Sequence, residues 1–340
     1  MATFRRLGGI LGAVLALSLV ATACGDGGDS GDGDGEPAGL TGTINISGSS
    51  TVEPISALVA ELFNEDNPDV SIRVDGPGTG DGFELFCAGD TDVSDASRPI
   101  EEDEVAACED NDITYTELEV ALDGVTVMTS PSNAVECLTT GDLYALFGPE
   151  SEGFESWSDA NDLAEVVGGT GGFLDAPLQS VLVAPGEESG TYDAFVELSG
   201  IPGIAEERGL AEEDAEALRK DYQASPNDNV IIQAMEGSDS ALGFVGFAFA
   251  EGAGESVREI AIDGGDGCVT PSAETIADGS YPLSRSLYIY VNDKKLASSE
   301  ALRAYVDLYV SDVGLNEAVS GVGYIPLPAD RQQATRSAVG

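Results

Sequence analysis

The chain has 340 residues and a large excess of acidic side chains, with 62 Asp and Glu against 14 Lys and Arg, no His, and a formal net charge of -48. Charge of this sign repels polyanions, which excludes nucleic acid as a partner. Because His is absent and the cysteines are far apart in sequence, zinc has almost no ligands, and we expect neither a metal nor a cofactor. The acidity fits either adaptation to salty surroundings or an ordinary acidic exported protein.

The N-terminal segment is typical of an export signal. Arg5 and Arg6 precede an apolar stretch, Leu7 to Val20, that is too short for a comfortable membrane span. The signal peptide is therefore predicted to cover residues 1–23. Residues 24–41 are rich in Gly, Asp, Ser and Glu, a composition that predicts a flexible linker. No second hydrophobic segment of spanning length follows.

The cysteines divide into one near the export signal and four in the body of the chain. The five residues that end at Cys24 resemble a bacterial lipobox, which implies a lipid anchor on that cysteine; the alternative is secretion with a coincidental Cys. In an exported protein the remaining even number favours disulfides. Of three connectivities, loop length favours Cys87 with Cys108, which leaves Cys137 with Cys268.

The first element of the body is a strand, a turn and a helix. The apolar run Ile44 to Ile46 breaks at Gly48 into Ser49-Ser50-Thr51, and Pro54 suits the first turn of a helix that continues to Asn64. A helix start has unpaired N–H groups and partial positive charge, so these hydroxyls lie where an anion can be held. An ordinary Ser/Thr helix cap has the same pattern, and a single copy favours the cap.

Strand-like and helical runs then alternate, which predicts an α/β fold. The acidic stretch 205–222 is predicted to be a surface helix. Residues 281–291 are predicted to form a buried strand with Leu287, Ile289 and Val291 on one face. The Gly-rich stretches 168–172 and 264–267 are predicted loops. The other predicted strand and helix pairs are 70–74 with 83–87, 118–128 with 138–146, and 181–184 with 192–198.

Two further hydroxyl-bearing turns follow predicted strands and precede predicted helices. One contains Thr79 and Gly80, and the other is Ser189-Gly190-Thr191. In an open α/β sheet, ligands bind outside the carboxyl ends of the strands, so three such turns can converge on one anion. Three unrelated helix caps are the alternative, but the joint pattern favours an anion site.

Charged residues beside these turns are candidates for the rest of the site. Arg98, which follows Ser97 at a strand end, can supply a forked donor to an oxyanion, although a surface ion pair is the alternative. A carboxylate inside the site can accept the proton of hydrogen phosphate, whereas sulfate offers none. Glu188, Asp81 and Asp95 are the candidate acceptors.

Several motifs in this order resemble the phosphate-binding lipoproteins of bacterial ABC phosphate importers, over nearly all of residues 42–328. The motifs are Gly48-Ser49-Ser50-Thr51-Val52, Gly78-Thr79-Gly80-Asp81-Gly82-Phe83, Asp95-Ala96-Ser97-Arg98-Pro99-Ile100, Ser189-Gly190-Thr191-Tyr192, Ala241-Leu242-Gly243-Phe244-Val245-Gly246, Tyr281-Pro282-Leu283-Ser284-Arg285 and Gly323-Tyr324-Ile325-Pro326-Leu327. Some members place Asp where Ser97 stands and Arg where Pro185 stands, and many have Gly at Asp81. Arg98 would then take the cationic role.

The resemblance implies a two-lobed α/β fold of the type II periplasmic-binding-protein class, each lobe a mixed sheet flanked by helices. Lobe one is expected to comprise residues 42–122 and 288–335, and lobe two residues 128–282. Residues 123–127 and 283–287 would form a two-crossing hinge. Phosphate is expected between the lobes, and the residues implied to bind it are Ser49, Ser50, Thr51, Thr79, Gly80, Asp81, Ser97, Arg98, Ser189, Gly190 and Thr191.

The expected function is capture of inorganic phosphate outside the cytoplasmic membrane and its delivery to an ABC permease. We expect a monomer that contacts the outer face of that membrane only through its lipid anchor. One alternative is a binding protein for another oxyanion, such as sulfate, molybdate or arsenate. A phosphatase is a weaker alternative, because a chain without His or a free thiol has few groups that can activate a hydroxyl nucleophile. The last alternative is a surface lipoprotein whose cleft is vestigial.

Overall fold

The computed structural model describes residues 39–187 and 189–340. The predicted signal peptide, the lipidation at Cys24 and nearly all of the predicted linker therefore lie outside the described residues. The strands, in chain order, are β1 (Gly42–Gly48), β2 (Val70–Asp75), β3 (Val93–Ala96), β4 (Tyr115–Thr129), β5 (Cys137–Thr139), β6 (Val183–Ala184), β7 (Gln223–Ala224), β8 (Leu242–Gly246), β9 (Arg258–Glu259), β10 (Ala261–Asp263), β11 (Cys268–Val269) and β12 (Ser284–Asn292).

Helices separate most of these strands, so the predicted mixed α/β class is confirmed. Short 3-10 turns occur at Pro149–Ser151, Trp157–Ala160, Gln179–Val181 and Gly254–Ser256, and a π-helical turn at Val313–Ala318. The α-helices are α1 (Glu53–Asp66), α2 (Thr79–Cys87), α3 (Glu102–Asp110), α4 (Thr140–Phe147), α5 (Asn161–Val166), α6 (Gly190–Leu198), α7 (Ile201–Glu207), α8 (Glu212–Ala215), α9 (Asp228–Gly237), α10 (Phe247–Ala253), α11 (Ala273–Ala277), α12 (Asp293–Ser298), α13 (Glu300–Tyr309), α14 (Val319–Gly321) and α15 (Ala329–Val339).

One mixed sheet runs through the described chain, with strand order β2-β1-β3-β12-β4-β8 and β9 paired to the end of β4. β1 pairs in parallel with both β2 and β3, whereas β12 is antiparallel to β3 and to β4. Because β1, β2 and β3 are parallel neighbours, their carboxyl ends meet at one edge of the sheet. The segments that follow those ends therefore lie close together.

Two main hydrophobic cores lie along this sheet. The first core is made of buried apolar residues between 44 and 121 and between 287 and 319, and it packs α1 and α13 against the sheet. The second core is made of buried apolar residues between 122 and 283, joined by Leu327. The lobes and their hinge remain a proposal, developed below.

Two paired strands connect the two cores. The long strand β4 contributes to both, and β12 pairs with it from Ser284 opposite Gly124 to Asn292 opposite Tyr115. A third connection is short: Ile325 forms a bridge with Leu122, and Leu327 then packs into the second core before α15 returns to β4. This antiparallel pairing, which contains a bulge between Leu287 and Tyr288, makes the junction an ordered part of the sheet.

Both disulfides of the expected connectivity are present. Cys87 is bonded to Cys108, a separation of 21 residues, and ties α2 to α3. Cys137 is bonded to Cys268, a separation of 131 residues, and ties β5 to β11. Each bridge therefore joins elements that pack within one core region. Within the described residues, no helix is long and apolar enough to cross a membrane.

The predicted surface helix over 205–222 is wrong. α7 ends at Glu207, Gly209 has a φ of +82°, and only a short α8 follows. A glycine in the left-handed region ends a helix, which explains the break. The chain then turns inward, and Arg219 is fully buried, with its N–H donating to the Phe147 carbonyl at 2.8 Å.

Candidate functional site

The carboxyl ends of β1 and β3 meet the start of α2 at close range, and two glycines permit it. Gly48 ends β1 with a φ of +150°, and a Cβ there would lie 2.0 Å from the Asp95 carbonyl oxygen. A Cβ on Gly82 would lie 2.4 Å from the Gly48 Cα. A side chain at Gly48 would clash with the backbone of β3, and one at Gly82 would push α2 away from the end of β1.

A cavity of about 300 Å³ lies at this edge of the sheet. Five predicted hydroxyl residues line it: Ser49, Ser50, Thr51, Thr79 and Ser97. Three carboxylate residues line it as well: Glu187, Asp193 and Glu197. The structure therefore brings together hydroxyls from three separate strand-to-helix turns, opposite acidic residues from α6 and the loop before it.

Ser50 and Thr51 do not cap the helix that follows them. The N-cap of α1 is Val52, and no side chain makes a capping bond there. Instead, Ser50 Oγ donates to Asp193 Oδ2 at 2.8 Å, and Thr51 Oγ1 accepts from Arg285 Nη2 at 3.0 Å. The hydroxyls face the cavity and side chains from other elements, so the helix-cap alternative does not describe them.

Thr79 and Ser97 form the next wall. α2 begins at Thr79 after Gly78, again without a side-chain cap. The two hydroxyl oxygens are 3.0 Å apart, and the Ser97 N–H donates to Thr79 Oγ1 at 3.2 Å. Together with the start of α1, the wall presents hydroxyls beside two helix N-termini, where N–H groups carry partial positive charge.

The third predicted turn contributes differently. Ser189 does cap α6, because its Oγ accepts the Thr191 N–H at 3.2 Å. Gly190 lies against the first turn of the site, since a Cβ there would be 3.3 Å from the Thr51 Cα. The start of α6 thus abuts the start of α1, although Ser189, Gly190 and Thr191 are not among the residues that line the cavity.

Arg285 is the cation nearest to these hydroxyls, and sequence reasoning did not assign it to the site. Its side chain is 9% exposed and forms ion pairs with Asp123 at 3.4 Å and with Glu197. Burial raises the pKa of Asp123, and the charge of Arg285 opposes that rise. Arg285 therefore connects the junction strands β4 and β12 to α6 and, through Thr51, to the cavity wall.

Arg98 points to a different set of partners. Its guanidinium makes two hydrogen bonds of 2.8 Å to Glu104 and an ion pair of 3.2 Å to Glu101, at the start of α3. The bond to Glu104 is the main reason why the pKa of Arg98 is raised. Arg98 is not among the residues that line the cavity. A role as an anion donor stays a prediction that requires these ion pairs to open.

Asp95 is buried beneath the site. Its Oδ1 accepts from Ser56 Oγ at 2.8 Å, on the α1 side of the sheet, and its Oδ2 has no partner among the described residues. Burial raises the pKa of Asp95 to about 8, from an ordinary value of 3.8. The backbone carbonyl of Asp95 accepts the Ser49 N–H at 2.8 Å. Asp95 thus supports the turn, and its carboxyl does not line the cavity.

The other predicted residues are placed as follows. Gly80 and Asp81 are exposed in the first turn of α2 and do not line the cavity, and a Cβ on Gly80 would contact nothing within 4 Å. Glu188 lies outside the described residues. In the described chain, no cluster of three or more side chains suited to holding a metal ion occurs.

Comparison with known proteins identifies the family. The model of the PBP superfamily domain matches residues 34–313, most of the chain. The chain belongs to the PBP superfamily. Its sequence is 38% identical to Protein SphX of Synechocystis sp. over 86% of this chain and 81% of the relative. It is 34% identical to the phosphate-binding protein PstS of Staphylococcus haemolyticus, over 93% and 90%.

A solved PBP structure agrees with this assignment. The crystal structure of a possible phosphate binding protein from Planctomyces limnophilus superposes with a TM-score of 0.76, at 34% sequence identity, over 88% of this chain and 98% of that chain. A match over nearly the whole of that chain shows that both cores belong to one shared fold.

Sequence reasoning missed the acidic side of this PBP-family cavity. Asp193 follows Thr191 by two residues, and Glu197 comes one helical turn after Asp193, so both lie on one face of α6. The position of these two acidic residues directly after the Ser189-Gly190-Thr191 turn could have predicted that they face the site. Arg285 gave no comparable signal, because 234 residues separate it from Thr51.

Proposed function

We propose that this protein binds inorganic phosphate in the 300 Å³ cavity and delivers it to an ABC permease for import. One observation carries the proposal: hydroxyls from three strand-to-helix turns, Ser49-Ser50-Thr51, Thr79 and Ser97, line a single cavity. The relatives named SphX and PstS, the latter a phosphate-binding protein, support phosphate as the ligand.

The hydrogen-bond donors in the cavity suit a tetrahedral oxyanion, which they would hold beside the carboxylates of Glu187, Asp193 and Glu197. Hydroxyl groups and the N–H groups at the starts of α1 and α2 donate hydrogen bonds, and bonds to an ionised acceptor are stronger than neutral ones. We place Ser50, Thr51, Thr79 and Ser97 around the phosphate. Gly190 abuts this wall from α6, so we place Ser189, Gly190 and Thr191 beside the wall rather than in the cavity lining.

The carboxylates explain how such a cavity selects phosphate. Near neutral pH, hydrogen phosphate carries a proton that a carboxylate oxygen can accept, whereas sulfate carries none and is repelled by that carboxylate. Asp193 is the best-placed acceptor, because it lines the cavity and already accepts from Ser50 at 2.8 Å. Binding would then depend on the phosphate proton as well as on its charge.

The two-core arrangement supports ligand-dependent closure. We propose that the first core belongs to lobe one (42–122 and 288–335), the second to lobe two (128–282), and that residues 123–127 and 283–287 act as the hinge. Ser50 with Asp193, and Thr51 with Gly190, are contacts between the proposed lobes. Phosphate held at these contacts would shift the population towards the closed state.

Binding without catalysis is part of the proposal. The relative PstS is named a phosphate-binding protein, and the Planctomyces limnophilus structure is described as a possible phosphate binding protein. The sequence has no His to act as a base toward a Ser or Thr nucleophile. Release of phosphate from a chromogenic ester, at a rate above that of buffer, would overturn this part.

Location is proposed from the N-terminal sequence. The export signal over residues 1–23 and the lipobox-like segment at Cys24 favour a protein anchored by lipid to the outer face of the cytoplasmic membrane. Such an anchor keeps a monomeric binding protein beside its permease. Metabolic labelling with a radioactive fatty acid, lost in Cys24→Ala, is the expected result; equal labelling of both proteins would contradict it.

Calorimetry tests the ligand and its selection together. The protein is unfolded and refolded to remove bound phosphate, then titrated with phosphate and with sulfate. We expect sulfate to bind at least about 100-fold more weakly, and Asp193→Asn to reduce that ratio, with the exposed Asp110→Asn as the matched control. Equal affinities in the unmodified protein would contradict proton-dependent selection, and no binding of either anion would contradict the function itself.

A further inference from the structure

A second cavity, of about 680 Å³, lies in the region of the second core and shares no residue with the phosphate cavity. Four chain segments enclose it: the connection from β4 to β5, the 3-10 turn that begins at Trp157, the loop over residues 170–177 and the loop before β8. The volume lies within the range of roughly 300–1,000 Å³ that is common for small-molecule sites. The proposed phosphate transport gives this cavity no role.

Hydrogen bonds between the segments hold the walls in place. The Trp157 indole N–H donates to the Ser240 carbonyl at 2.9 Å, and Ser240 Oγ donates to the Pro177 carbonyl at 2.8 Å. Asn161 holds Phe173 from both sides of its backbone, accepting its N–H at 2.8 Å and donating to its carbonyl at 3.0 Å. The cavity is therefore preformed, which lowers the ordering cost of binding.

The walls combine aromatic side chains with polar ones, and their charge has one sign. Trp157 and Phe173 pack edge to face with ring centroids 5.6 Å apart, and Leu174 at the rim is 76% exposed. Asp239 is the one charged residue in the lining, which contains no Lys or Arg. Among the described residues, Asp239 takes part in no ion pair. A cavity with aromatic side chains and one carboxylate outside any ion pair disfavours anions and suits a cation.

We propose that this cavity binds an amphiphilic cation: an apolar body with one ammonium group, the body against Trp157 and Phe173 and the ammonium beside Asp239. Aromatic faces attract ammonium groups, and the net charge of -48 raises the local concentration of cations around the protein. The same features repel phosphate, so this site is independent of the proposed phosphate site.

Trp157 makes the test direct, because it is the single tryptophan of the chain and it lines the cavity. The purified protein is titrated with benzyltrimethylammonium, with neopentylbenzene as its neutral isostere and with benzenesulfonate as an anion. Trp157 emission is followed together with the heat of binding. We expect a saturable response to the ammonium compound, a weaker one to the isostere and none to the sulfonate.

Two variants separate this site from general attraction of cations to an acidic surface. Asp239→Asn is expected to weaken binding of the ammonium compound on the order of 3- to 10-fold. Ala134→Phe, which fills the mouth of the cavity, is expected to abolish the response to that compound. Asp90→Asn, an exposed carboxylate outside this cavity, is the matched control and should change nothing. The proposal is overturned by a flat emission and heat with the ammonium compound, by equal responses to all three probes, or by equal effects of Asp239→Asn and Asp90→Asn. Phosphate titrations of the same samples report the proposed function separately.

Discussion

Arg285→Gln removes the cation of a buried ion pair at the junction of the two cores. Arg285 and Asp123 have side chains that are 9% and 5% exposed, so the variant leaves a carboxylate that water does not solvate. Breaking a buried pair from one side costs about 3–5 kcal/mol. Loss of the ion pair with Glu197 adds little to this cost, because the Glu197 side chain is 57% exposed.

Protonation of Asp123 limits this cost and makes it dependent on pH. Burial already raises the pKa of Asp123, and loss of Arg285 raises it further, which favours the neutral carboxyl in the folded variant. Keeping an Asp neutral costs about 1.4 kcal/mol for each pH unit above its unfolded pKa of about 3.9. Because the pKa of Asp123 is raised in the unmodified protein as well, the two proteins differ less in stability at low pH; we therefore expect a loss of about 3–5 kcal/mol at pH 7 that becomes smaller as the pH falls.

Urea unfolding in phosphate-free buffer measures this loss, followed by circular dichroism and by Trp157 emission. Arg303→Gln, at an exposed position on α13, is the matched control and should cost less than about 0.5 kcal/mol. In Arg285→Gln with Asp123→Asn, most of the stability should return, since no unpaired charge remains. A loss below about 1 kcal/mol at pH 7, or a loss that does not change with pH, would refute the reasoning.

The remaining predictions concern ligand affinity, pH and the disulfides. Thr51 is 1% exposed and lines the phosphate cavity, so Thr51→Val should weaken phosphate binding by about 1–3 kcal/mol in calorimetry. Unchanged affinity would remove Thr51 from the site. The pKa of Asp95 is about 8 in the fold against 3.8 ordinarily, so its burial lowers the free energy of unfolding progressively as pH rises from about 4 to 8. In urea unfolding, Asp95→Asn should remove on the order of 4 kcal/mol of the decrease in the free energy of unfolding that occurs by pH 7. If the free energy of unfolding of the variant depends on pH as it does in the unmodified protein, the burial argument is contradicted. Removing the Cys137–Cys268 bridge, which spans 131 residues, should cost roughly 5 kcal/mol, against roughly 3 kcal/mol for Cys87–Cys108 over 21 residues; the reverse order in paired Cys→Ala variants would contradict the loop-length argument.

The sequence predicted the hydroxyl wall because its signal is local. A strand end, a glycine and hydroxyls before a helical period occur together at Ser49-Ser50-Thr51 and again near Thr79, and parallel strands bring their carboxyl ends together. The disulfide pairing was also accessible, since loop length alone favours the short bridge. Features that depend on neighbouring residues can be inferred from one sequence.

The charge balance of the site could not be predicted in the same way. Arg285 reaches Thr51 across 234 residues, through the pairing of β12 with β4, and no local pattern encodes that register. Asp95 lies on β3, where all four residues are buried, so strand alternation did not indicate which way its carboxyl points. Tertiary packing decides both.

For Arg98, the structure shows the surface ion pair that was the alternative to an anion donor. Glu101 and Glu104 follow Arg98 at three and six residues, and they form a capping box at the start of α3. Acidic residues at a helix start attract a nearby guanidinium, which explains the ion pairs of Arg98. Similarly, Gly209 within the predicted helix over 205–222 marked the position at which α7 gives way to a turn.

A crystal structure of the protein with phosphate tests the central claim most directly. We expect one phosphate in the cavity beside the starts of α1 and α2, within hydrogen-bond distance of Ser50, Thr51, Thr79 and Ser97, with a carboxylate oxygen of Asp193 facing one phosphate oxygen. A phosphate bound elsewhere, or a cavity that stays without phosphate at saturating concentration, would contradict the account.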